Sequence, residues 1–431
     1  MFGLIDCDNF FCSCERVFRP DLSRTPIVVL SNNDGCVVAR SKEVKEMGIK
    51  EGLPYYQMKT MYPDSGIVAF SSNYSLYADM SARVMAVLRE EAPEVLQYSI
   101  DEAFLDLRGM DNLDLHEWGA ALCRKVERCT GMPVSLGIAP TKTLAKVASK
   151  FAKRYPAYRK CCVIASEYQR ETALKLFPAG DVWGIGRRIN RTLEYYGVKT
   201  AFDFTQRSRS WVRSRFHVTG ERTWRELMGE SVIEFDGLDT VEKKTIVTSR
   251  SFPEMIADLG DLRPHVANYA ARCAMKLRRQ GSVCSTVTVF IQSNHFREDL
   301  QQYDNSASYT FTTSTNTTNE IVAAALAMLA EIFRRGIHYK RAGIMVSGIS
   351  SATAVQPDLF NYDPEKSRKF STMSKALDMI NSRMGADTVV LAAQQYSDKS
   401  ADGKSVKFVN AIRRAMKSPD YSTRLGEFVV G

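Results

Sequence analysis

Tyr98-Ser99-Ile100-Asp101-Glu102-Ala103-Phe104 sets two acids side by side between two apolar runs. The runs 95–99 and 103–107 predict a β-hairpin with Asp101 and Glu102 at its tip. Working outward, 1–6 (MFGLID) predicts a buried strand that ends on a third acid, Asp6. Residues 73–91 carry Tyr74, Tyr77, Val84 and Leu88 near helical spacing, and helices are also expected at 115–129 and 141–154, around a strand at 134–138. The order strand, helix, hairpin, helix, strand predicts a mixed sheet with helices on one face. Two short strands are expected at 26–30 and 36–39, with the turn signal Asn32-Asn33-Asp34-Gly35 between them.

Further along, 166–240 reads as mainly helical. A βαββαβ unit follows: strand 244–252, helix 263–279, strands 284–292 and 306–313, helix 319–335, strand 341–349. The segment 351–366 has linker composition, and 367–431 is a small mixed tail with helices near 367–383 and 405–416. The fold class is therefore α+β in several domains, which 431 residues accommodate.

Adjacent acids on a tight turn repel each other unless a cation is present. Hard oxygen ligands of this kind suit Mg²⁺, and two such ions ~4 Å apart would clamp the attacking and leaving oxygens of a phosphoryl transfer. A merely solvated turn, where Asp is common, is the plain alternative. Asn9-Phe10-Phe11-Cys12 follows Asp6, and a helix starting there would set the Phe11 ring beside a bound nucleotide sugar, excluding a 2′-hydroxyl by bulk. The alternative is that both rings are core.

Lys142, Lys146, Lys150 and Lys153 share one helical face, with Leu144, Val147, Ala148 and Phe151 on the other. A solvated face would mix in Glu, yet 141–160 holds seven Lys or Arg and no acid, which favours phosphate contact. Lys42 and Lys45 are weaker candidates. In Asp181-Val182-Trp183-Gly184-Ile185-Gly186-Arg187-Arg188, glycines between helices would let backbone N–H groups approach a DNA phosphate, the pattern of a helix-hairpin-helix. A helix C-cap and tight turn would read the same way. Net charge is +9 but uneven: −8 over 1–120, +10 over 121–240, +4 over 241–350 and +3 over 351–431. An acidic part that holds metal, beside basic parts that grip a polyanion, would give this split; so would a moderately basic cytosolic protein.

Asp6 with Phe10-Phe11, Ser99-Ile100-Asp101-Glu102-Ala103-Phe104, the string SLGIA at 135–139 with KTLAK at 142–146, and VWGIG at 182–186 resemble, in order, the Y-family DNA polymerases. The strings VVLSNNDGCVVAR at 28–40 and FSSNYSLYADMS at 70–81 look like the UmuC-type branch of that family, and the resemblance covers nearly the whole chain. It implies a right hand: palm 1–23 with 70–165, fingers 24–69, thumb 166–240 with its helix-hairpin-helix, little finger 242–350, linker 351–366 and a C-terminal extension 367–431. It implies that Asp6, Asp101 and Glu102, with the Cys7 carbonyl, hold two Mg²⁺ ions, that Phe11 is the steric gate, and that Lys45 and Lys153 contact the triphosphate. Many members carry Tyr at the gate, so Phe11 lacks a hydroxyl while keeping the ring. Lys42 stands where some members carry a Tyr.

The same resemblance implies error-prone synthesis past damaged template in the bacterial SOS response, from primer-template DNA and deoxynucleoside triphosphates. Small fingers imply an open site, and no segment is left over for a proofreading exonuclease. Gln356-Pro357-Asp358-Leu359-Phe360 resembles the pentapeptide that docks bacterial polymerases on the sliding clamp. The tail implies contact with a UmuD-type partner and RecA. By charge alone, Arg250, Arg272, Lys276 and Arg279 are expected phosphate contacts, beside Lys142, Lys146, Lys150, Gly184, Gly186 and Arg187.

Two other classes compete: a metal-dependent nuclease or cyclase on a palm-like sheet, and a catalytically silent DNA-binding scaffold. Neither a nuclease nor a cyclase needs a sugar gate, and a scaffold needs no intact acids. The longest apolar helix candidate, 321–333, is too short to span a membrane, and Asp6 and Asp8 argue against a signal peptide. A cytoplasmic protein with reduced, buried thiols is expected, since the ten cysteines lack zinc spacing.

Overall fold

The structure is a computed structural model and describes residues 1–110, 112–234, 242–358, 360, 362–397, 406–408, 414–419 and 421. The chain divides into two compact units, Met1–Val241 with Arg414–Gly431, and Glu242–Arg413.

The first unit begins with β1 (Phe2–Cys7), α1 (Phe10–Val17), β2 (Ile27–Leu30), β3 (Val37–Arg40), α2 (Lys42–Glu46), α3 (Tyr55–Met61), β4 (Val68–Ser71) and α4 (Tyr74–Glu91). There follow β5 (Glu94–Gln97), β6 (Glu102–Asp106), α5 (Leu115–Thr130), β7 (Val134–Ala139), α6 (Lys142–Arg154) and β8 (Cys161–Val163). Four helices come next: α7 (Glu167–Leu176), α8 (Arg187–Tyr195), α9 (Ala201–Thr205) and α10 (Arg209–Leu227).

A five-stranded sheet in the order β5-β6-β1-β7-β8 has β1 at its centre, antiparallel to both neighbours. Helices were expected on one face; they cover both. Ile5, Ala103, Leu105 and Leu136 pack with α4 and α5, while Leu4, Phe104 and Ala139 pack with α6. The reason lies in β7, whose six residues are all buried, a run without the polar alternation of a one-sided strand. Gly137 makes the second face possible: a Cβ there would lie 2.1 Å from Ser149 N and 2.2 Å from Ala145 O, so α6 sits directly on the strand backbone. Each large apolar side chain buried in these layers contributes about 1.5–3 kcal/mol. The start of α6 is pinned by Thr141, whose hydroxyl accepts from Leu144 N (3.2 Å), and by the buried Glu226, whose carboxylate accepts from Thr143 N (3.0 Å).

A second sheet, β3-β2-β4, pairs β2 antiparallel with β3 and parallel with β4. β2 is wholly buried, and Asn33 and Asp34 turn the chain with φ of 62° and 51°. β4 was not expected from the sequence, since it is defined by its parallel pairing with β2, and the boundary expected between 69 and 70 cuts through it. α7 to α10 close around Leu193, Phe204, Val212 and Leu227, in one core with the outer face of α6.

The second unit has β9 (Ile246–Ile256), α11 (Leu259–Arg279), β10 (Ser282–Ser293), β11 (Asp304–Thr315), α12 (Thr318–Ile332) and β12 (Tyr339–Ser351), the expected βαββαβ order. Its sheet runs β11-β10-β12-β9, all antiparallel, with α11 and α12 on its apolar face. α13 (Pro364–Met384) is tied on by Arg278 to Asp378 (2.6 Å) and by Ser374 to Thr318 N (3.2 Å). The ribbon β13 (Gln395–Ser397) and β14 (Val406–Phe408) comes last. The helix expected at 405–416 is therefore corrected: 406–408 is a strand and 414–418 a turn and bridge, while 409–413 lies outside the described residues. Pairing with a segment ten residues upstream overrides the local helical period there. Among the described residues no helix is long and apolar enough to cross a membrane.

Candidate active site

Antiparallel register sets Asp6, at the end of β1, directly opposite Glu102, at the start of β6. The Cys7 N–H donates to the Asp101 carbonyl (2.9 Å), which draws the hairpin tip onto the same strand end. Ser99 organises the tip, its hydroxyl bonding Asp101 Oδ1 (2.5 Å) and accepting from the N–H groups of Asp101 and Glu102. Three acids from two strands thus share one corner of the sheet.

Charge there is not balanced. Burial raises Asp6 to about 7, and the Glu102 and Asp101 charges add to it, even though Lys153 works against them. Lys153 Nζ lies 2.5 Å from Asp6 Oδ1 and 3.6 Å from Asp8 Oδ1, and Lys146 Nζ lies 3.0 Å from Glu102 Oε2. For Lys153, burial disfavours the ammonium, but Asp6 and Asp8 outweigh it and raise its pKa. So the lysine gains from the pair, while burial keeps Asp6 high in spite of it. Among the described residues no three His, Cys, Asp or Glu side chains close on a common metal position; the ammonium groups hold the carboxylates. The donor set fits a hard divalent cation: carboxylate oxygens crowded at one strand end.

A cavity of about 330 Å³ opens at this corner, lined by Asp6, Cys7, Asp101 and Lys153 on one side and by Phe11, Arg40 and Lys45 on the other. Both rings of the aromatic pair border the cavity; Phe10 is buried in the core, and Phe11 is half-buried, its ring stacked on Tyr77 at 4.4 Å. α1 starts here because Asn9 takes the left-handed conformation (φ 51°), and Lys45 Nζ donates to the Asn9 side chain (2.5 Å). Burial lowers the Lys45 pKa, with Arg40 and Lys153 adding to the effect. Lys42 is exposed, 3.8 Å from Glu46. A larger hollow of about 450 Å³, by Trp118 and Arg128, contains none of these residues.

The other expected residues divide. Lys142 is corrected as a phosphate contact: it is 2% exposed, and its ammonium donates to the Glu234 carbonyl and lies over Phe104. Helical spacing gives a side chain's direction, not its depth, and at this end of α6 the chain after α10 covers it. Lys146 is half-buried, over the rings of Tyr98 (4.4 Å) and Trp183 (5.1 Å). Lys150 is exposed and donates to the Asp181 carbonyl (3.0 Å). Gly184 needs to be glycine, with φ 95° and Thr223 Oγ1 2.4 Å from where a Cβ would stand. Gly186 is the N-cap of α8, and Arg187 is exposed in its first turn.

In the second unit Arg250 lies on β9 opposite Ala342. Arg272 is engaged with Asp387 (3.2 Å), and Lys276 is exposed, donating to Thr248 (3.2 Å). Gln356 is exposed, Phe360 is 89% exposed, and Leu359 lies outside the described residues.

Sequence reasoning passed over Arg40, Asp8 and Lys160. Asp8 accepts from Lys160 (2.7 Å) and from Ser135 (3.0 Å). The signal for Lys160 was the acid-free basic run at 141–160; for Arg40 only the pairing of β3 brings it to the cavity.

The impB/mucB/samB family matches residues 5–150, that family's C-terminal domain matches 243–359, and a domain of unknown function matches 371–430. The chain is 42% identical over 431 residues to Protein UmuC of Salmonella typhimurium, covering all of this chain and 99% of that one. It is 27% identical to DNA polymerase IV 1 of Mesorhizobium japonicum, over 89% of this chain and 84% of that one. A Y-family DNA polymerase chimera, Dbh-Dpo4-Dbh, shares its fold with a TM-score of 0.65 at 19% identity, over 81% of this chain and the whole of that one.

Proposed function

We infer the chemistry from one premise: the chain belongs to the impB/mucB/samB family, the UmuC-type branch of the Y-family DNA polymerases. It is a DNA-directed DNA polymerase of the translesion kind. We propose that Asp6, Asp101 and Glu102, with the Cys7 carbonyl, hold two Mg²⁺ ions. When bound, these supply activation of the primer 3′-hydroxyl and charge neutralisation on the triphosphate. The observation that carries the reading is the strand-end corner itself, where three acids meet beside a cavity with Phe11 in its wall.

The chain's own groups do the rest. Lys153, Lys45 and Arg40 bind the triphosphate, Lys153 exchanging its carboxylates for phosphate oxygens. The Phe11 ring fills the space of a ribose 2′-hydroxyl. We read the five-stranded sheet as palm (1–23, 70–165), the β2 sheet as fingers (24–69), 166–240 as thumb and 242–350 as little finger. Lys146, Lys150, Arg187, the Gly184 and Gly186 backbone, Arg250, Arg272 and Lys276 contact DNA phosphates. Damage-induced synthesis with a UmuD-type partner and RecA accords with membership of this branch.

The test is primer extension with Mg²⁺ on undamaged and abasic templates beside Asp101→Ala. Extension past the abasic site by the parent, reduced about a thousandfold or more in the variant, is expected. Equal extension by both would sink the metal assignment. Exposed Phe360 supports docking of Gln356, Leu359 and Phe360 on the sliding clamp; Phe360→Ala with Leu359→Ala should abolish clamp stimulation and spare distributive synthesis, and undiminished stimulation would remove the assignment.

A further inference from the structure

After its second unit the chain returns to the first, where residues 414–419 and 421 are described and Met416 and Lys417 pair with Ser71 at the end of β4. Ser71 N donates to the Met416 carbonyl (3.0 Å), Met416 N donates back to Ser71 Oγ (2.9 Å), and Ser71 and Lys417 form a parallel bridge. The segment therefore continues the β3-β2-β4 sheet on its β4 side. It is fastened at three more points. Ala415 N donates to Asp34 Oδ2 in the turn between β2 and β3 (2.9 Å), Tyr55 OH meets Met416 Sδ (3.6 Å), and Tyr421 stacks on Phe18 at 4.4 Å with the rings 4° apart. Ser418 is 5% exposed.

Ser418 connects this strap to the cavity wall. Its hydroxyl accepts from Asn73 Nδ2 (3.0 Å), and Asn73 is the N-cap of α4, its Oδ1 accepting from Leu76 N (3.4 Å). The first turn of α4 carries Tyr74 and Tyr77. Tyr77 lies nearly parallel to Phe11 (4.4 Å, 17°), and Tyr74 meets Phe11 edge-on at 6.0 Å. Tyr77 OH donates to Glu15 (2.8 Å), a wholly buried acid one turn after Phe11 on α1. Burial raises the Glu15 carboxyl, and the hydrogen bond from Tyr77 opposes that rise. Backbone pairing, cap, ring stack and buried acid thus run without a break from Ser418 to the Phe11 ring.

We propose that residues 414–419, with Tyr421, are a positioning strap for the sugar-excluding ring, with Ser418 as its contact residue. This gives a task to part of the region that the domain of unknown function matches. It rests on the reading of Phe11 as the gate. The strap sets the N-terminus of α4; α4 sets Tyr77; Tyr77 sets the plane of Phe11. A loosened ring admits a 2′-hydroxyl, while deoxynucleotides, which need no contact there, are added as before.

The experiment compares kcat/KM for a deoxynucleotide and the matching ribonucleotide in the full chain and in Ser418→Ala, Ser418→Thr, Met416→Pro and Phe11→Ala. One lost hydrogen bond corresponds to roughly a three- to tenfold loss of discrimination in Ser418→Ala. Ser418→Thr, which keeps the hydroxyl, should behave as the parent. Met416→Pro removes a paired N–H and should lose more, with faster hydrogen exchange at the Ser71 amide and in the first turn of α4. A purely structural effect would lower both rates alike and leave their ratio fixed. Discrimination unchanged in Ser418→Ala while Phe11→Ala admits ribonucleotides overturns the strap and leaves the gate. Discrimination unchanged in Phe11→Ala overturns the gate and the strap with it. If Met416→Pro does not fold, the Ser418 pair decides alone.

Discussion

The two largest sheets solve different problems. The five-stranded sheet of the first unit is covered on both faces and ends in three crowded acids, of which Asp6 is raised by burial. The four-stranded sheet of the second unit is covered on one face, and β11 turns mostly polar, exposed residues to the other. The first spends packing precision to hold charges that repel, and its strand ends are where chemistry can happen. Among its described residues the second offers a mostly polar exposed strand, with Tyr309 on it as an exposed ring. A sheet wedged between layers fixes side chains at its ends more firmly than a sheet with one free face.

The largest expected effect tests that contrast in the backbone. Gly137→Ala drives a Cβ into the backbone of α6, whereas Gly343→Ala on β12 meets the tip of Phe290 (2.2 Å) and Ser249 Cβ (2.5 Å). Urea unfolding should register a loss above about 3 kcal/mol for Gly137→Ala and about 1–2 kcal/mol for Gly343→Ala. Similar losses at both would mean the two-sided layer is no tighter than the one-sided one.

Next in size is a comparison of lysines. Lys153→Met at the acid corner removes a charge-assisted contact and should lower kcat/KM for nucleotide by roughly ten- to a hundredfold. Lys276→Met in the second unit should leave nucleotide KM alone and weaken DNA binding modestly, with a shallower salt dependence. A nucleotide effect from Lys276→Met, or none from Lys153→Met, would erase the division of labour.

The smallest effect concerns pH. In the second unit burial lowers His265 to about 4, with the Arg250 charge adding to it, and the ring packs on Phe252 at 4.7 Å. The unfolded chain binds a proton below about 6.5 that the folded chain refuses until about 4. Stability from this group is therefore full above about 6.5 and is lost as pH falls toward 4. Urea midpoints of the parent at pH 7 and 5 should differ more than those of His265→Phe; an identical fall in both would assign the acid sensitivity elsewhere.

Much of this was legible in the sequence because it is local. The hairpin with its two acids, the strand ending on Asp6, the α6 period and the βαββαβ order all follow from patterns within twenty residues. What escaped depends on distant partners. β4 is defined by pairing with β2, and Arg40 reaches the cavity only through that sheet. The second covered face of the central sheet was announced by one glycine, Gly137, whose meaning appears once α6 lies on it. Lys142 followed the helical period faithfully and was misjudged only in depth, since the residues that cover it lie ninety positions away.

The strap carries a consequence for how such a chain is made. Residues 242–413 are interposed between the body of the first unit and its last edge segment. At ~5–20 residues per second, a ribosome needs on the order of ten to thirty seconds to cross them. Throughout that interval the nascent first unit has its acids and its Phe11 but no residue 418. If the strap sets the ring, a chain interrupted before residue 414 is not an idle fragment but a polymerase whose choice of sugar has never been adjusted.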